Sequence, residues 1–252
     1  IVKTLRTSFN DGALHAISAR KTAVRAILTM VNDNIDAIVE ACAKDLHRPE
    51  FETNAADISF IKFEATHVLK NMDTWLQDEY TPRSFISILD TPYVQRQPLG
   101  VVIIIGSWNY PFMTVLQPLV GAIAAGNTAV IKPSEYSAHC SDLLKQIIPK
   151  YLDKGICQVI CADAKECAQL LATVRFDHVF YTGGMNGGRA IYTAAAKFLT
   201  PVTLELGGKC PVYVDSDVDV LMAAKRIMWS KVFNAGQTCV SADYVICHRD
   251  SL

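Results

Sequence analysis

Apolar side chains recur every three or four positions before Pro82, and this spacing is typical of amphipathic helices. The expected helices cover residues 17–31, 35–39 and 58–75. Asn32-Asp33-Asn34 interrupts the pattern between the first two helices and offers a new helix cap. We expect this N-terminal segment to pack against the rest of the chain and to carry no chemistry.

After Pro82 the pattern changes to short β-branched runs that alternate with helix-like stretches. The expected strands are Tyr93–Gln97, Val101–Ile105, Ala129–Ile131, Gln158–Cys161, His178–Tyr181, Val202–Leu206, Pro211–Val214 and Tyr244–Cys247. The expected helices are Thr114–Ala125, Ser141–Leu152, Ala164–Ala172, Arg189–Leu199 and Val218–Trp229. This alternation indicates an α/β fold with a mostly parallel sheet covered on both faces, whose ligands bind at the carboxyl ends of the strands.

The stretch from Gln97 to Ile131 carries no charged residue, which raises the question of a membrane span. Pro111, Pro118 and several glycines interrupt it, however, and it also contains polar amide side chains. We therefore expect a strand, a loop, a buried helix and a second strand rather than one spanning helix.

Composition narrows the class of protein. The chain has 252 residues, of which 50% are hydrophobic, and its 24 basic and 25 acidic side chains nearly balance, so we expect no nucleic-acid partner. The eight cysteines follow neither a disulfide framework nor a zinc-ligand pattern. We therefore expect free thiols, no metal and a cytoplasmic protein. Because the first residue is Ile1, a targeting segment could be missing from the sequence.

One cysteine stands in a setting suited to chemistry, in the stretch Phe233-Asn234-Ala235-Gly236-Gln237-Thr238-Cys239-Val240. A thiol reacts as its thiolate, which a helix N-terminus, a base or a cation must stabilise. Taken alone, the stretch favours a buried structural cysteine over a nucleophile.

Two further residues could act on a substrate. Glu205 is the one carboxylate in the apolar strand before Gly207 and Gly208, so we expect it to be desolvated and suited to act as a general base. Asn109 follows a buried strand, where its neutral amide could stabilise a developing oxyanion. The alternatives are a paired structural carboxylate and an ordinary loop-capping asparagine.

Two turns could bind a nucleotide. The strand ending at Tyr181 runs into Thr182-Gly183-Gly184-Met185-Asn186-Gly187-Gly188 and then a helix, a shape that lets backbone amides approach a diphosphate. Lys132 and Glu135 follow another strand, where they could contact ribose hydroxyls. A plain tight turn and a solvated turn are the respective alternatives.

Several longer runs carry a family resemblance. They are Pro98-Leu99-Gly100-Val101-Val102, Trp108-Asn109-Tyr110-Pro111-Phe112, Val120-Gly121-Ala122-Ile123-Ala124-Ala125-Gly126-Asn127, Ala194-Ala195-Ala196-Lys197, Leu199-Thr200-Pro201-Val202-Thr203-Leu204-Glu205-Leu206-Gly207-Gly208-Lys209 and Gly236-Gln237-Thr238-Cys239. Together they resemble the NAD(P)-dependent aldehyde dehydrogenases, and most closely class 3, the fatty- and aromatic-aldehyde group. The resemblance covers essentially the whole chain.

The resemblance implies roles for ten residues. Cys239 would be the nucleophile, Glu205 the general base and Asn109 the side-chain half of the oxyanion hole. The implied contacts with NAD or NADP are Lys132, Glu135, Gly183, Gly188, Ser107, Trp108 and Leu206. The implied reaction oxidises an aldehyde to a carboxylic acid through a thiohemiacetal and a thioester on Cys239.

The resemblance also implies a domain division and an incomplete chain. Residues 1–206 would form the helical segment and a Rossmann-type dinucleotide-binding domain, and residues 207–252 the start of a catalytic domain. The chain would then be the N-terminal half of an enzyme that forms homodimers and could carry a membrane tail beyond Leu252. A CoA-acylating relative and a non-catalytic paralogue or binding scaffold are the alternatives.

The glycine turn departs from the family. Gly184 stands where a serine or asparagine is usual, and Asn186-Gly187 replaces a pair that normally includes an apolar residue. Extra glycines lose more conformational freedom on ordering, so we expect a loosened helix start at this turn.

Overall fold

The computed structural model describes residues 1–249, and the first part of this range is helical. The helices are α1 (Val2–Asn10), α2 (Ile17–Asp33), α3 (Ile35–Leu46), α4 (Glu50–Thr53) and α5 (Ser59–Trp75). A π-helical turn, Asn54–Ile58, joins α4 to α5. The three expected helices are confirmed, the first two with longer bounds and the third starting one residue later, and α1 adds a helix that the periodicity did not indicate.

A small antiparallel ribbon follows α5. It pairs β1 (Glu79–Tyr80) with β2 (Tyr93–Val94), and both strands are exposed. The prediction of a strand over Tyr93–Gln97 is therefore wrong in its length and in its place. In the described part of the chain, the only partner of β2 is the two-residue strand β1, so pairing ends at Val94 and the ribbon stays outside the main sheet.

The central sheet has five parallel strands in the order β5-β4-β3-β6-β7. The strands are β3 (Val101–Ile105), β4 (Thr128–Lys132), β5 (Cys157–Val159), β6 (His178–Thr182) and β7 (Val202–Glu205). Every residue of β3 and β4 is buried, as expected for inner strands covered on both faces. The chain builds outward from β3 to β5 and then returns beside β3 to add β6, so the strand order reverses between β3 and β6. Ligand crevices of such sheets form at this reversal.

Two hydrophobic cores cover the sheet. The helices of the second part are α6 (Met113–Ala125), α7 (Ala138–Tyr151), α8 (Ala164–Thr173) and α9 (Met185–Ala196). One core joins α6 and α7 to α2, α3 and α5, and the other joins α1, α8 and α9. The uncharged stretch is thus a strand, a loop, a buried helix and a strand, as predicted. Within residues 1–249, no helix is both long enough and apolar enough to cross a membrane.

The last elements form a separate pair of strands. β8 (Cys210–Val214) and β9 (Ala242–Cys247) pair in parallel with each other and not with the central sheet. Between them lie α10 (Val220–Val232) and a short 3-10 turn, Phe233–Gly236. The predicted strands Pro211–Val214 and Tyr244–Cys247 are therefore confirmed as strands, but the expectation that they join the one sheet is wrong.

Candidate active site

The loop after β3 lies against the segment that leads to Cys239. Asn109 Nδ2 donates to the carbonyl oxygen of Gln237 at 2.9 Å, and the hydroxyls of Tyr110 and Thr238 are 2.5 Å apart. Ser107 Oγ donates to Asn109 Oδ1 at 2.6 Å, so the amide oxygen faces Ser107 and the amide nitrogen faces the cysteine segment. A carboxamide has two N–H bonds, and the contact with Gln237 leaves one for a ligand.

Cys239 is exposed, which contradicts the interpretation as a buried structural cysteine. Its backbone lies close to the link between β7 and β8. The Cys210 thiol donates to the carbonyl oxygen of Cys239 at 3.3 Å. A Cβ added at Gly208 would lie 2.8 Å from the same oxygen, so glycine is what permits this approach. The structure therefore brings the segment after Glu205 alongside the thiol-bearing segment.

Glu205 ends β7, but its side chain is exposed. The expectation of a desolvated carboxylate is therefore wrong for the described chain. The prediction assumed that apolar neighbours along the strand imply burial. Among the described strands, however, β7 lies at the edge of the sheet and pairs only with β6. None of its other residues is fully buried either.

Lys132 and Glu135 are brought together at the end of β4. Lys132 Nζ forms an ion pair with Glu135 Oε2, and the lysine side chain is 5% exposed while the glutamate is 31% exposed. Burial raises the pKa of the nearby Cys167 thiol, while the positive charge of Lys132 lowers it. The pair therefore presents one carboxylate to solvent beside a buried cation.

The glycine turn after β6 is closed by a residue that the sequence did not single out. Tyr181 donates its hydroxyl to the carbonyl oxygen of Gly184 at 3.2 Å. A Cβ at Gly183 would lie 2.4 Å from this hydroxyl oxygen, and one at Gly187 only 2.2 Å away. Burial raises the pKa of Tyr181. The predicted sites Gly188 and Leu206 also meet, since a Cβ at Gly188 would lie 2.9 Å from Leu206 Cδ2.

The start of α9 has unused backbone donors. Its N-cap residue is Gly184, which provides no capping side chain, whereas α8 begins with an Asp163 capping box. The first N–H groups of an uncapped helix attract anions such as phosphate. A Cβ at Gly184 would meet nothing within 4 Å, so the approach to these amides is open. The residues present therefore fit the diphosphate of a dinucleotide.

Most of the predicted site residues share the carboxyl edge of the central sheet. Ser107, Trp108 and Asn109 follow β3, and Ser107 is buried while Trp108 is 38% exposed. Lys132 is the last residue of β4, and Glu205 is the last residue of β7. Gly183 directly follows β6. The thiol of Cys239 is added to this edge from outside the sheet, through the contacts of Asn109 and Gly208.

Two buried polar residues of the site, Arg48 and Asp57, have no recognisable signal in the sequence. The Arg48 guanidinium pairs with Asp57 and donates to the backbone oxygen of Asn109. Arg48 lies in the segment from which no chemistry was expected. The structure adds these hydrogen bonds to the expected packing, and the helical pattern does not indicate them because it shows which apolar residues pack but not where a lone arginine in a loop will point.

The fold and the site together define a class. The molecule is an α/β protein with a nucleotide-type glycine turn, an oriented carboxamide and an exposed thiol at one sheet edge. The chain belongs to the aldehyde dehydrogenase family, whose family model matches residues 2–252.

Curated relatives and solved structures agree with this assignment. The mouse protein "Aldehyde dehydrogenase, dimeric NADP-preferring" is 43% identical over 247 residues, which cover 98% of this chain and 54% of the mouse protein. Human "Aldehyde dehydrogenase family 3 member B1" is 41% identical, with 98% of this chain and 52% of that protein covered. The substrate-bound structure of Staphylococcus aureus AldH has a TM-score of 0.94 at 35% identity, and the match covers 98% of this chain and 54% of that one. The chain thus spans about half the length of the relatives that it matches.

Proposed function

We propose that the protein carrying this chain oxidises aldehydes to carboxylic acids with NAD or NADP, through a covalent intermediate on Cys239. The observation that carries the proposal is the hydrogen bond from Asn109 to Gln237, which fixes an amide donor next to the exposed cysteine. A thiol alone would be weak evidence. A thiol beside an oriented neutral donor is the arrangement that acyl-transfer chemistry needs.

Each residue of the site has a role in the proposed reaction. The Cys239 thiolate attacks the aldehyde carbonyl carbon, and the carbonyl oxygen becomes an oxyanion. Asn109 Nδ2 and the Cys239 backbone N–H donate to that oxyanion. Once the carbon has been oxidised to a thioester, Glu205 takes a proton from the attacking water, and the acid leaves. The exposure of Glu205 gives water direct access to its carboxylate.

A bound nicotinamide dinucleotide would supply the hydride acceptor. The uncapped start of α9 and Gly183 would hold its diphosphate. Lys132 and Glu135 would bind the hydroxyls of a ribose, since their ion pair leaves the glutamate partly exposed. Ser107, Trp108, Gly188 and Leu206 would line the remaining contact surface. The mouse relative is named NADP-preferring, and we propose that this protein also accepts NADP as well as NAD.

The proposal extends to substrate, assembly and location. We propose medium- or long-chain or aromatic aldehydes as substrates, in keeping with the class 3 resemblance. The mouse relative is named dimeric, and we propose a homodimer for the protein that carries this chain. We also propose a cytoplasmic location, with a membrane-anchored form if further residues supply a tail.

The test is a purified protein that carries this chain at its natural full length, assayed for NADH or NADPH formation with hexanal and benzaldehyde. We expect activity that Cys239→Ala abolishes. Cys161→Ala is the matched control, because Cys161 is also an exposed thiol but lies beyond β5. Equal activity in the wild type and Cys239→Ala would refute the proposed nucleophile.

The same assay separates the alternative functions. Acid formation without CoA supports hydrolysis of the thioester, whereas a strict need for CoA would identify a CoA-acylating enzyme. Complete inactivity together with a Cys239 thiol no more reactive than buried Cys42 would favour the binding scaffold.

A further inference from the structure

The backbone immediately before Gln237 is left-handed over three consecutive residues. The φ angles are 52° at Asn234, 54° at Ala235 and 75° at Gly236. Glycine tolerates this region, but asparagine and alanine are strained there unless their surroundings hold them. This turn places Gln237 and Thr238 against the Asn109 loop, directly before Cys239, so whatever holds the turn also sets the geometry of the site.

Asn234 is held by residues from the N-terminal helical segment. Its backbone N–H donates to Glu52 Oε2 at 2.8 Å, and its Oδ1 accepts from Arg48 Nε at 2.9 Å. Its Nδ2 donates to the carbonyl oxygens of Asn109 at 3.0 Å and Gln237 at 3.2 Å. The residue is 3% exposed, so these contacts are made away from water.

Arg48 joins the turn to two other parts of the site. Its guanidinium pairs with Asp57, and the two side chains are 1% and 0% exposed. Another nitrogen donates to the Asn109 backbone oxygen. The Arg48 Cζ atom lies 4.9 Å from the centre of the Tyr110 ring. The planar fork of a guanidinium is what allows one side chain to serve these partners together.

Asp57 extends this network to the start of a helix. Its Oδ1 accepts from the backbone N–H of Met113, the first residue of α6, at 2.7 Å. The position of the whole loop from Asn109 to Met113 therefore depends on the buried ion pair.

We propose that Arg48 and Glu52 are positioning residues, which hold the left-handed turn so that Cys239 and the Asn109 amide face the same substrate atom. The proposal rests on the proposed function. Neither residue needs to touch the substrate, and a misplacement of about 1 Å in such a site is enough to lower the rate by about a hundredfold.

The Glu52 series tests the proposal in the full-length protein. For Glu52→Ala we expect kcat for aldehyde oxidation to fall by at least about tenfold, since the backbone of Asn234 loses its acceptor. KM for the nucleotide should change by less than about twofold, because the proposed contacts at Lys132, Glu135 and the glycine turn lie at the ends of β4 and β6, away from Asn234. Glu52→Gln should restore most of kcat, since an amide oxygen still accepts from Asn234. Glu50→Ala is the matched control on the same helix, with an exposed side chain.

The Arg48→Lys variant tests the planar guanidinium geometry separately from the positive charge. Lysine keeps a positive charge beside Asp57, but its ammonium group cannot reproduce the planar set of hydrogen bonds that Arg48 donates to Asn234, Asn109 and Asp57. We expect a loss of kcat similar to that of Glu52→Ala, with a cooperative thermal transition that shows a folded protein. Wild-type kcat in both Arg48→Lys and Glu52→Ala would overturn the positioning proposal.

A second readout distinguishes this proposal from the proposed function. If the wild type shows no Cys239-dependent oxidation, the proposed function fails, and positioning is then judged by amide hydrogen exchange. Glu52→Ala should speed exchange of the Asn234 N–H by at least about tenfold relative to Glu50→Ala, because the held turn opens. Equal exchange in the two variants would overturn the proposal whatever the activity.

Discussion

At the residue scale, the site depends on one carboxamide whose orientation is fixed from both ends. Ser107 donates to the oxygen of Asn109, and Gln237 accepts from its nitrogen. An amide held in this way does not need to reorient when negative charge develops, and preorganised donors of this kind contribute most of the stabilisation of an oxyanion.

Replacing Asn109 with alanine should therefore lower kcat for aldehyde oxidation by about two to three orders of magnitude. The expected loss of stability is only about 1 kcal/mol, since the lost hydrogen bonds connect loops. Steady-state kinetics and thermal unfolding measure the two effects. The control is Asn71→Ala, because within residues 1–249 the Asn71 amide hydrogen-bonds only to His67, on the exposed face of α5. An Asn109→Ala protein with kcat within threefold of the wild type would contradict the assigned role.

Residue-scale prediction succeeded where a side chain's chemistry and its strand-end position were both visible. Asn109 and the Cys239 segment were expected to converge, and they do. Arg48 was missed because its partners Asn109 and Asn234 are 61 and 186 positions away along the chain. The burial of Glu205 was mispredicted because strand neighbours do not reveal which strand lies at a sheet edge.

At the element scale, the glycine turn has a different explanation from the one that its composition indicated. Extra glycines were expected to loosen the start of the helix, and the helix was expected to begin at Arg189. Instead α9 begins at Met185 and includes Gly187 and Gly188. The Tyr181 hydroxyl occupies the space where a Gly187 side chain would project, so this glycine is needed for close packing.

Gly187→Ala should displace the Tyr181 ring and break its hydrogen bond to Gly184, which we expect to lower the unfolding free energy by about 1–2 kcal/mol. Gly184→Ala is the control, since its Cβ would enter open space, and we expect little change. Denaturant unfolding measures both. Combining Tyr181→Phe with Gly187→Ala should restore part of the lost unfolding free energy, because the hydroxyl that clashes with the new Cβ is removed. Equal stability of the two alanine variants would show that the ring moves aside without cost.

His178 on strand β6 should make the folding stability depend on pH. The His178 ring is partly buried, and its Nε2 lies 3.1 Å from Thr203 Oγ1 on β7. Burial lowers the pKa of His178 below its ordinary value of 6.5. Between the lowered pKa and 6.5, the unfolded chain binds more protons than the folded one, so stability falls as the pH falls through this window.

His178→Gln should remove this contribution. We expect the difference in unfolding free energy between variant and wild type to be constant above about pH 7.5, where neither state is protonated. Below pH 6.5 the wild type should lose stability relative to the variant. Urea unfolding at several pH values gives the comparison, and the values near pH 8 serve as the baseline. Parallel stability curves down to pH 5 would contradict the assigned cause.

Most helices and strands were predictable because their apolar spacing is regular, and β3 matches its expected bounds of Val101–Ile105. The ribbon strand β1 was not, because a two-residue strand exists only through its partner, and Glu79–Tyr80 has no strand pattern of its own. Pairing between distant segments is set by packing, which local periodicity does not contain.

At the scale of the whole molecule, the chain divides near the end of β7. The central sheet and its two cores lie before this point, whereas β8 and β9, among the strands that the structure describes, pair only with each other. We propose residues 1–206 and 207–252 as the two units. The α/β class and the parallel sheet followed from the alternation of elements, but the separation of β8 and β9 did not, because their apolar spacing resembles that of the sheet strands.

The second unit has little core of its own. In the described part of the chain, no residue of α10 is buried, and large apolar side chains such as Met228 and Trp229 are 55% and 65% exposed. On β9, Val245 and Ile246 are also about half exposed, at 49% and 52%. Backbone hydrogen bonds that are not covered by packed side chains open by local unfolding at low free-energy cost.

We therefore expect uneven hydrogen exchange in residues 1–252 expressed alone. Amides of α10 and β9 should exchange about two orders of magnitude faster than those of β3, β4 and α6, which open only with the whole domain. Residues 234–238 should be intermediate, since Glu52 and Asn109 hold them to the first unit. Peptide-resolved mass spectrometry measures this. Uniformly slow exchange would mean that the two units unfold together, and that the turn before Cys239 is stabilised by its own unit rather than by the N-terminal helices.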